Sequence, residues 1–211
     1  MWRKLLVAAS TVMLAFAVLF ISVFRTASVK YEFSDVRTPD NQGSFVLGDK
    51  DINIEYYLAY PGKVLPDSPL WPVKALRDKV WLFLTTNPGR KAELRLLFAD
   101  KRLGSAKLLF EKDKPEIGFT TLTKAEKYLE EAVAQEKVNR ENEIDTTDFL
   151  QRLSNASLKH YEVMEEILMI APDDAKPQVV SSQDYAKRAY EMVRDALFEK
   201  GIQPPESPFD W

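Results

Sequence analysis

Residues 87–116 read NPGRKAELRLLFADKRLGSAKLLFEKDKPE. Within them Ala92, Leu96, Ala99, Leu103, Ala106 and Phe110 recur in steps of four and three without a miss. That is the seam one helix buries against another. Asn87 followed by Pro88 supplies a capping side chain and a first-turn proline, so the helix is expected to start there and run to about 112. Asp113 and Lys114 then lead to Pro115. A link this short makes the next helix an antiparallel neighbour.

Toward the C-terminus, Leu122, Ala125, Leu129 and Ala132 repeat the spacing, with Tyr128 and Val133 beside them. Gly118 is expected to weaken the first turn of this helix. NRENEID, residues 139–145, is polar and ends it. Asp145 and Asp148 resemble a capping box. They open a further helix carrying Leu150, Leu153, Ala156, His160, Met164 and Ile167, which stops at Ala171-Pro172. The last helix is expected to turn Tyr185, Ala189, Met192 and Ala196 to one side and to close on Gly201. The tail QPPESPFDW, residues 203–211, is too rich in proline for a helix, and a frayed end is expected.

Toward the N-terminus, YPGKVLPDSPLWPVKALRDK occupies residues 60–79. Ser68 is expected to cap a helix with Pro69 at its first position. Leu70, Val73, Leu76, Val80, Phe83 and Leu84 then form its apolar side, with Trp71 and Trp81 as core aromatics. The proline run reads as a rigid joint that fixes where Leu70 and Trp71 insert. Its rival is a recognition surface, since aromatic-proline segments also bind partners. Residues 25–59 lack a helical period: VKYEF, GSFVL and INIEYYLAY are β-leaning, separated by the turn compositions TPDNQG and GDKD. A hairpin and an extended stalk both fit.

Leu5 to Phe24 is a run of 20 residues without a charge. As a helix it spans about 30 Å, the thickness of a bilayer core. Trp2 stands where interfacial aromatics belong. The run reads as a membrane anchor; a cleaved signal peptide would have a shorter apolar core and a clean cleavage site. Arg3 and Lys4 precede it, but Arg25, Lys30 and Arg37 follow, so charge does not decide orientation. The behaviour of N-terminal signal anchors favours the short tail inside and the domain outside.

The expected fold is therefore mainly α. It comprises an inner tail (1–4), a transmembrane helix (5–24) and a β-leaning stalk with its proline joint (25–67). An antiparallel bundle of about five helices (68–202) and a proline-rich tail (203–211) complete it. The segment YPGKVLPDSPLWPVKALRDK, followed by the 87–116 stretch and TLTKAEKYLEEA, resembles the DUF5667 family of domains of unknown function. The likeness covers residues 56–135. Its specific part is the proline segment with Lys74, Arg77 and Asp78. It implies a helical domain, commonly outside the membrane in bacteria or archaea, and brings no catalytic residue with it.

The chain has 29 Lys and Arg against 32 Asp and Glu, a formal charge of −3, which argues against nucleic acid as a partner. It has no cysteine, so disulfides and thiolate chemistry are excluded. His160 is the one histidine. Di-iron bundles need a Glu-x-x-His on each of two helices, and Ser157 stands three before it. Glu162, Glu165 and Glu166 nearby read as a solvated face. There is no Gly-x-Ser-x-Gly elbow and no glycine-rich phosphate loop. Asn155-Ala156-Ser157 matches a glycosylation sequon in mid-helix and reads as chance. No catalytic, cofactor or metal residue is assigned.

The candidate interaction surface is Trp71, Arg90, Lys91, Arg95, Lys101, Arg102, Phe209 and Trp211. The basic members would suit anionic lipid or wall polymer, or another envelope protein. The expected function is a non-enzymatic, membrane-anchored scaffold or interaction module of the cell envelope. The alternatives are a sensory or regulatory envelope module and a cargo-binding, chaperone-like domain.

Overall fold

A computed structural model of the chain describes residues 54–210 and, near the N-terminus, Trp2, Lys4, Ser10, Thr11, Met13 and Leu14. The chain divides into two compact units, Met1–Glu32 and Phe33–Trp211. In the first, the six described positions are helical and exposed. Most of the Leu5–Phe24 run, and the VKYEF and GSFVL segments, lie outside the described residues. Among the described residues no helix is long and apolar enough to cross a membrane.

From Trp71 to Glu199 the second unit forms five helices: α1 (Trp71–Leu84), α2 (Pro88–Glu111), α3 (Pro115–Glu141), α4 (Thr147–Ile170) and α5 (Lys176–Glu199). Asn87 caps α2 as its sequence requires, its side-chain oxygen accepting from Arg90 N at 2.9 Å. Every seam residue of α2 from Ala92 to Phe110 is buried, and so are Leu122, Ala125, Leu129 and Ala132 of α3. These two helices pack along their length. Their ends meet as an antiparallel pair must: Asn139, late in α3, donates to Pro88 O at 3.0 Å. At the other end Gly118 faces Phe110.

Gly118 corrects an expectation. It does not merely weaken a turn: a Cβ there would lie 2.9 Å from the Phe110 ring, so glycine lets α3 approach α2.

Ion pairs fix the direction of the remaining helices. Arg152 early in α4 reaches Glu93 early in α2, and Lys107 late in α2 reaches Glu166 late in α4. Arg140 at the end of α3 reaches Glu199 at the end of α5. So α2 lies parallel to α4, and α3 parallel to α5. The bundle is two antiparallel hairpins, α2–α3 and α4–α5, laid side by side, with α3 and α4 diagonal to each other. The α3–α4 connection crosses that diagonal.

Several expectations change. The five expected helices are present, but they are not equal members: four form the core, while α1 packs only sparingly, on α2. Its expected apolar side faces outward, with Val73 68%, Phe83 83% and Leu84 67% exposed, and Asp78 is its one buried residue. Helix α1 starts two residues later than the Ser68-Pro69 signal implies. Leu70 is its N-cap, and Ser68 Oγ instead accepts from Leu70 N in a turn. Asp145 caps less than a box would, accepting from Thr147 N and Thr147 Oγ1.

On α5 the buried side is Val179, Ala186, Ala189, Tyr190, Val193 and Leu197, while Tyr185 and Met192 face solvent. Alanines at Ala189 and Ala196 fit either choice of side, and the true seam lies one position from the expected one. Gly201 closes α5 with φ +72°, Gly201 N and Ile202 N bonding Phe198 O and Leu197 O. Residues 54–60 form no strand: Tyr56 N turns back onto Ile54 O, and the segment is tied to the bundle by Ile54 N donating to Glu162 at 3.0 Å. The tail is not frayed up to Asp210. Pro204 is buried, Tyr190 Oη donates to Pro205 O at 2.6 Å, and Phe209 packs on Tyr161.

Candidate functional site

The proline segment that opens the domain is held by a clasp. Lys74, one turn into α1, donates to Pro61 O at 2.6 Å and Val64 O at 2.8 Å. Gly62 takes φ +87°, a conformation that side chains disfavour, and so turns these carbonyls toward the ammonium. Pro61 lies against Gly104 of α2, where a Cβ would come within 3.3 Å of the ring. Leu65 is buried, and Asp67 bonds Lys114 at the α2–α3 turn. The segment therefore straps the end of the α2–α3 hairpin. Burial lowers the Lys74 pKa, with Asp78 opposing that effect.

Beneath α1, Asp78 is 2% exposed and accepts from Arg77 at 2.6 Å. Arg102 of α2 reaches it at 3.8 Å. The Arg102 guanidinium lies over three rings, those of Trp71, Phe98 and Tyr128. Cation–ring contact of this kind strengthens once water is excluded. Helix α1 is thus attached by its charged side.

A second polar cluster lies in the bundle interior. His160 of α4 is fully buried between two carboxylates, 2.8 Å from Glu126 of α3 and 3.2 Å from Asp100 of α2. Tyr56 Oη completes the chain, donating to the other oxygen of Asp100 at 2.8 Å. Burial alone would lower the imidazole pKa. The charges of Glu126 and Asp100 and their hydrogen bonds outweigh it and hold the pKa up at about 9. The ring is therefore an imidazolium, donating from Nδ1 to Glu126 and from Nε2 to Asp100. Burial, with Asp100 beside it, pushes the Tyr56 phenol strongly up, so it stays a donor. The cluster ties α2, α3, α4 and the segment around Tyr56 together. Apart from Glu126 Oε2, which is buried without a hydrogen-bond partner, its groups are spent on one another, and no solvent reaches the ring. Among the described residues no three ligating groups are placed to hold a metal ion.

A shallow groove of about 360 Å³ lies between the start of α2 and the α3–α4 connection. Across it Arg152 bonds Glu93 at 2.9 Å, which occupies its one cation.

The residues singled out from sequence do not form one surface. Arg90 is exposed and paired with Glu93, while Arg95 bonds Gln135 at 2.6 Å on the α3 side. Lys91 and Lys101 are half-buried, and Arg102 is sealed under α1. Trp71 is half-buried beside Lys74 and Arg102. Phe209 packs on the chain's own Tyr161, and Trp211 lies outside the described residues. Glu162, Glu165 and Glu166 each bond a partner: Lys159, Gln183 and Lys107.

Sequence reasoning passes over Asp100 and Glu126. A signal is present: Leu96–Asp100–Leu103 and Leu122–Glu126–Leu129 keep the seam's spacing with an acid inside it. Acids that fall on a buried stripe require a buried cation, and His160 on the α4 seam is the available one.

Neither curated proteins nor solved structures match the chain. The family model described as Domain of unknown function (DUF5667) matches residues 63–174. It takes in Val64 and Lys74 of the clasp but not Pro61 or Gly62, together with α1, the α2–α3 hairpin and α4; it begins later than the 56–135 stretch of the resemblance and runs further toward the C-terminus. Asp100, Glu126 and His160 all fall inside it. On that match, which covers more than half of its length, the chain belongs to the DUF5667 family.

Proposed function

We propose that this protein is a non-enzymatic, membrane-anchored scaffold or interaction module of the cell envelope, with its helical domain on the extracytoplasmic side. One observation carries the reading. The domain pairs its few buried charged groups with one another and turns the apolar side of α1 out to solvent. Exposed apolar surface of this extent is characteristic of an interaction site. The sequence supports the tether, because Leu5–Phe24 has the length and composition of a membrane span.

The test is protease accessibility of a C-terminal tag, in intact spheroplasts and after lysis. Digestion in intact spheroplasts is the expected result. Protection until lysis would put the domain in the cytoplasm and overturn the envelope reading.

A further inference from the structure

Helix α1 is amphipathic in reverse. Toward the bundle it presents Trp71, Lys74, Ala75, Asp78 and Leu82, all buried or half-buried. Toward solvent it presents Phe83, Leu76, Val80, Val73 and Leu84, which fall side by side on one stripe of the helix. Lys79 borders that stripe on one edge and Arg77 on the other, both exposed. Trp81, half exposed, stands beyond the Arg77 edge with its ring against Phe98.

Further cations lie beneath and beside the helix. Lys101 and Arg102 act on Lys74, and Lys79 and Arg102 act on Lys124. The one acid of α1, Asp78, is sealed beneath the helix and neutralised by Arg77 and Arg102. A chain with a formal charge of −3 thus borders this exposed apolar stripe with Lys79 on one edge and Arg77, which shares its charge with Asp78, on the other. A dimer of α1 stripes would bring Lys79 and Arg77 against their own copies, and like charges at an interface are unfavourable. A bilayer with anionic headgroups accepts both features together: the apolar stripe enters the acyl boundary, and the bordering cations meet phosphate.

We propose that α1 is an interfacial helix that lies in the headgroup layer of an anionic membrane and seats the helical domain on the bilayer surface. The proposal rests on the membrane reading above for the nearness of a bilayer, and its test separates the two.

The chain has no native cysteine, so one introduced thiol carries one probe. Full-length Val73→Cys and Phe83→Cys, each labelled with an environment-sensitive nitrobenzoxadiazole dye, are reconstituted into vesicles of phosphatidylcholine with or without phosphatidylglycerol. Met169→Cys, exposed on α4, is the control. At 73 and 83 the emission should shift to the blue and be quenched by doxyl-labelled lipid, most strongly with phosphatidylglycerol. At 169 neither should happen. Adding Lys79→Gln should reduce the inserted fraction about five-fold.

Water-like emission at 73 and 83 in both vesicle types overturns the proposal. So does a blue shift without doxyl quenching. If that shift grows with protein density and the unlabelled Phe83→Cys variant cross-links to itself, a second copy covers the stripe. If it is independent of density, another segment of the chain covers it. Retention on vesicles after carbonate washing reports the anchor separately. A washed-off chain whose probes still insert when vesicles are added leaves α1 as proposed and removes the anchor. A retained chain with water-like probes does the reverse.

Discussion

Among single residues, two positions make sharp predictions. Gly118→Ala improves helix propensity by about 1 kcal/mol, yet its methyl would meet the buried Phe110 ring at 2.9 Å. The overlap should win, with a net destabilisation of about 1–3 kcal/mol and a lower urea midpoint. His160 is the second. Its folded-state pKa, about 9, lies above the ordinary 6.5. Its contribution to stability is therefore complete below about pH 6.5 and is lost as pH rises through about 9. The amount at stake is on the order of 3 kcal/mol. Because it is the chain's one histidine, its ring proton resonance reads this directly. It should hold the imidazolium position through neutral pH and move only near 9. A midpoint near the ordinary value would remove the buried ion cluster as described.

Among the elements, α1 and the strap are held by polar contacts where the sequence pattern leads one to expect apolar ones. Asp78→Ala would leave Arg102 buried over Trp71, Phe98 and Tyr128 without its carboxylate. Breaking a buried pair in this way costs about 3–5 kcal/mol. Phe83→Ala, on the outward stripe, should stay within about 0.5 kcal/mol of the parent in lipid-free solution. Urea unfolding of the pair of variants checks the contrast, and equal costs would mean that the stripe is buried. Lys74→Met should loosen the strap, since Pro61 O and Val64 O lose their donor. A loss of about 1–3 kcal/mol is expected. Amide exchange should quicken first in residues 54–66, while α2 and α3 stay protected. The helix seams of α2, α3 and α4 are legible because each residue on them does one job, and a steric pattern in sequence maps onto burial. The α5 seam is not, because its alanines are compatible with two neighbouring sides.

For the molecule as a whole, the four-helix core from α2 to α5 is closed on itself by the central seams and the Asp100–His160–Glu126 cluster. A chain beginning at Ile54 should therefore fold without what precedes it, keeping helical far-ultraviolet dichroism and one cooperative thermal transition. A broad, non-cooperative melt would mean that residues before Ile54 complete the core.

Local sequence is enough to specify the helices α2 to α4, the short link that makes α2 and α3 antiparallel, the closing Gly201 and the family. Each of these depends on spacing, on caps or on side chains a few residues apart. The side of α1 that faces the bundle is different, because it is fixed by packing. An apolar stripe specifies that a helix will bury something, not that its own domain will cover it. Packing also brings Lys74 to Pro61 and Val64, and His160 to Asp100 and Glu126. Those contacts join residues between 10 and 60 positions apart. No local pattern encodes such a distance: the side-by-side packing of the two hairpins brings His160 to its carboxylates, and the seating of α1 and the strap on α2 brings Lys74 to its carbonyls.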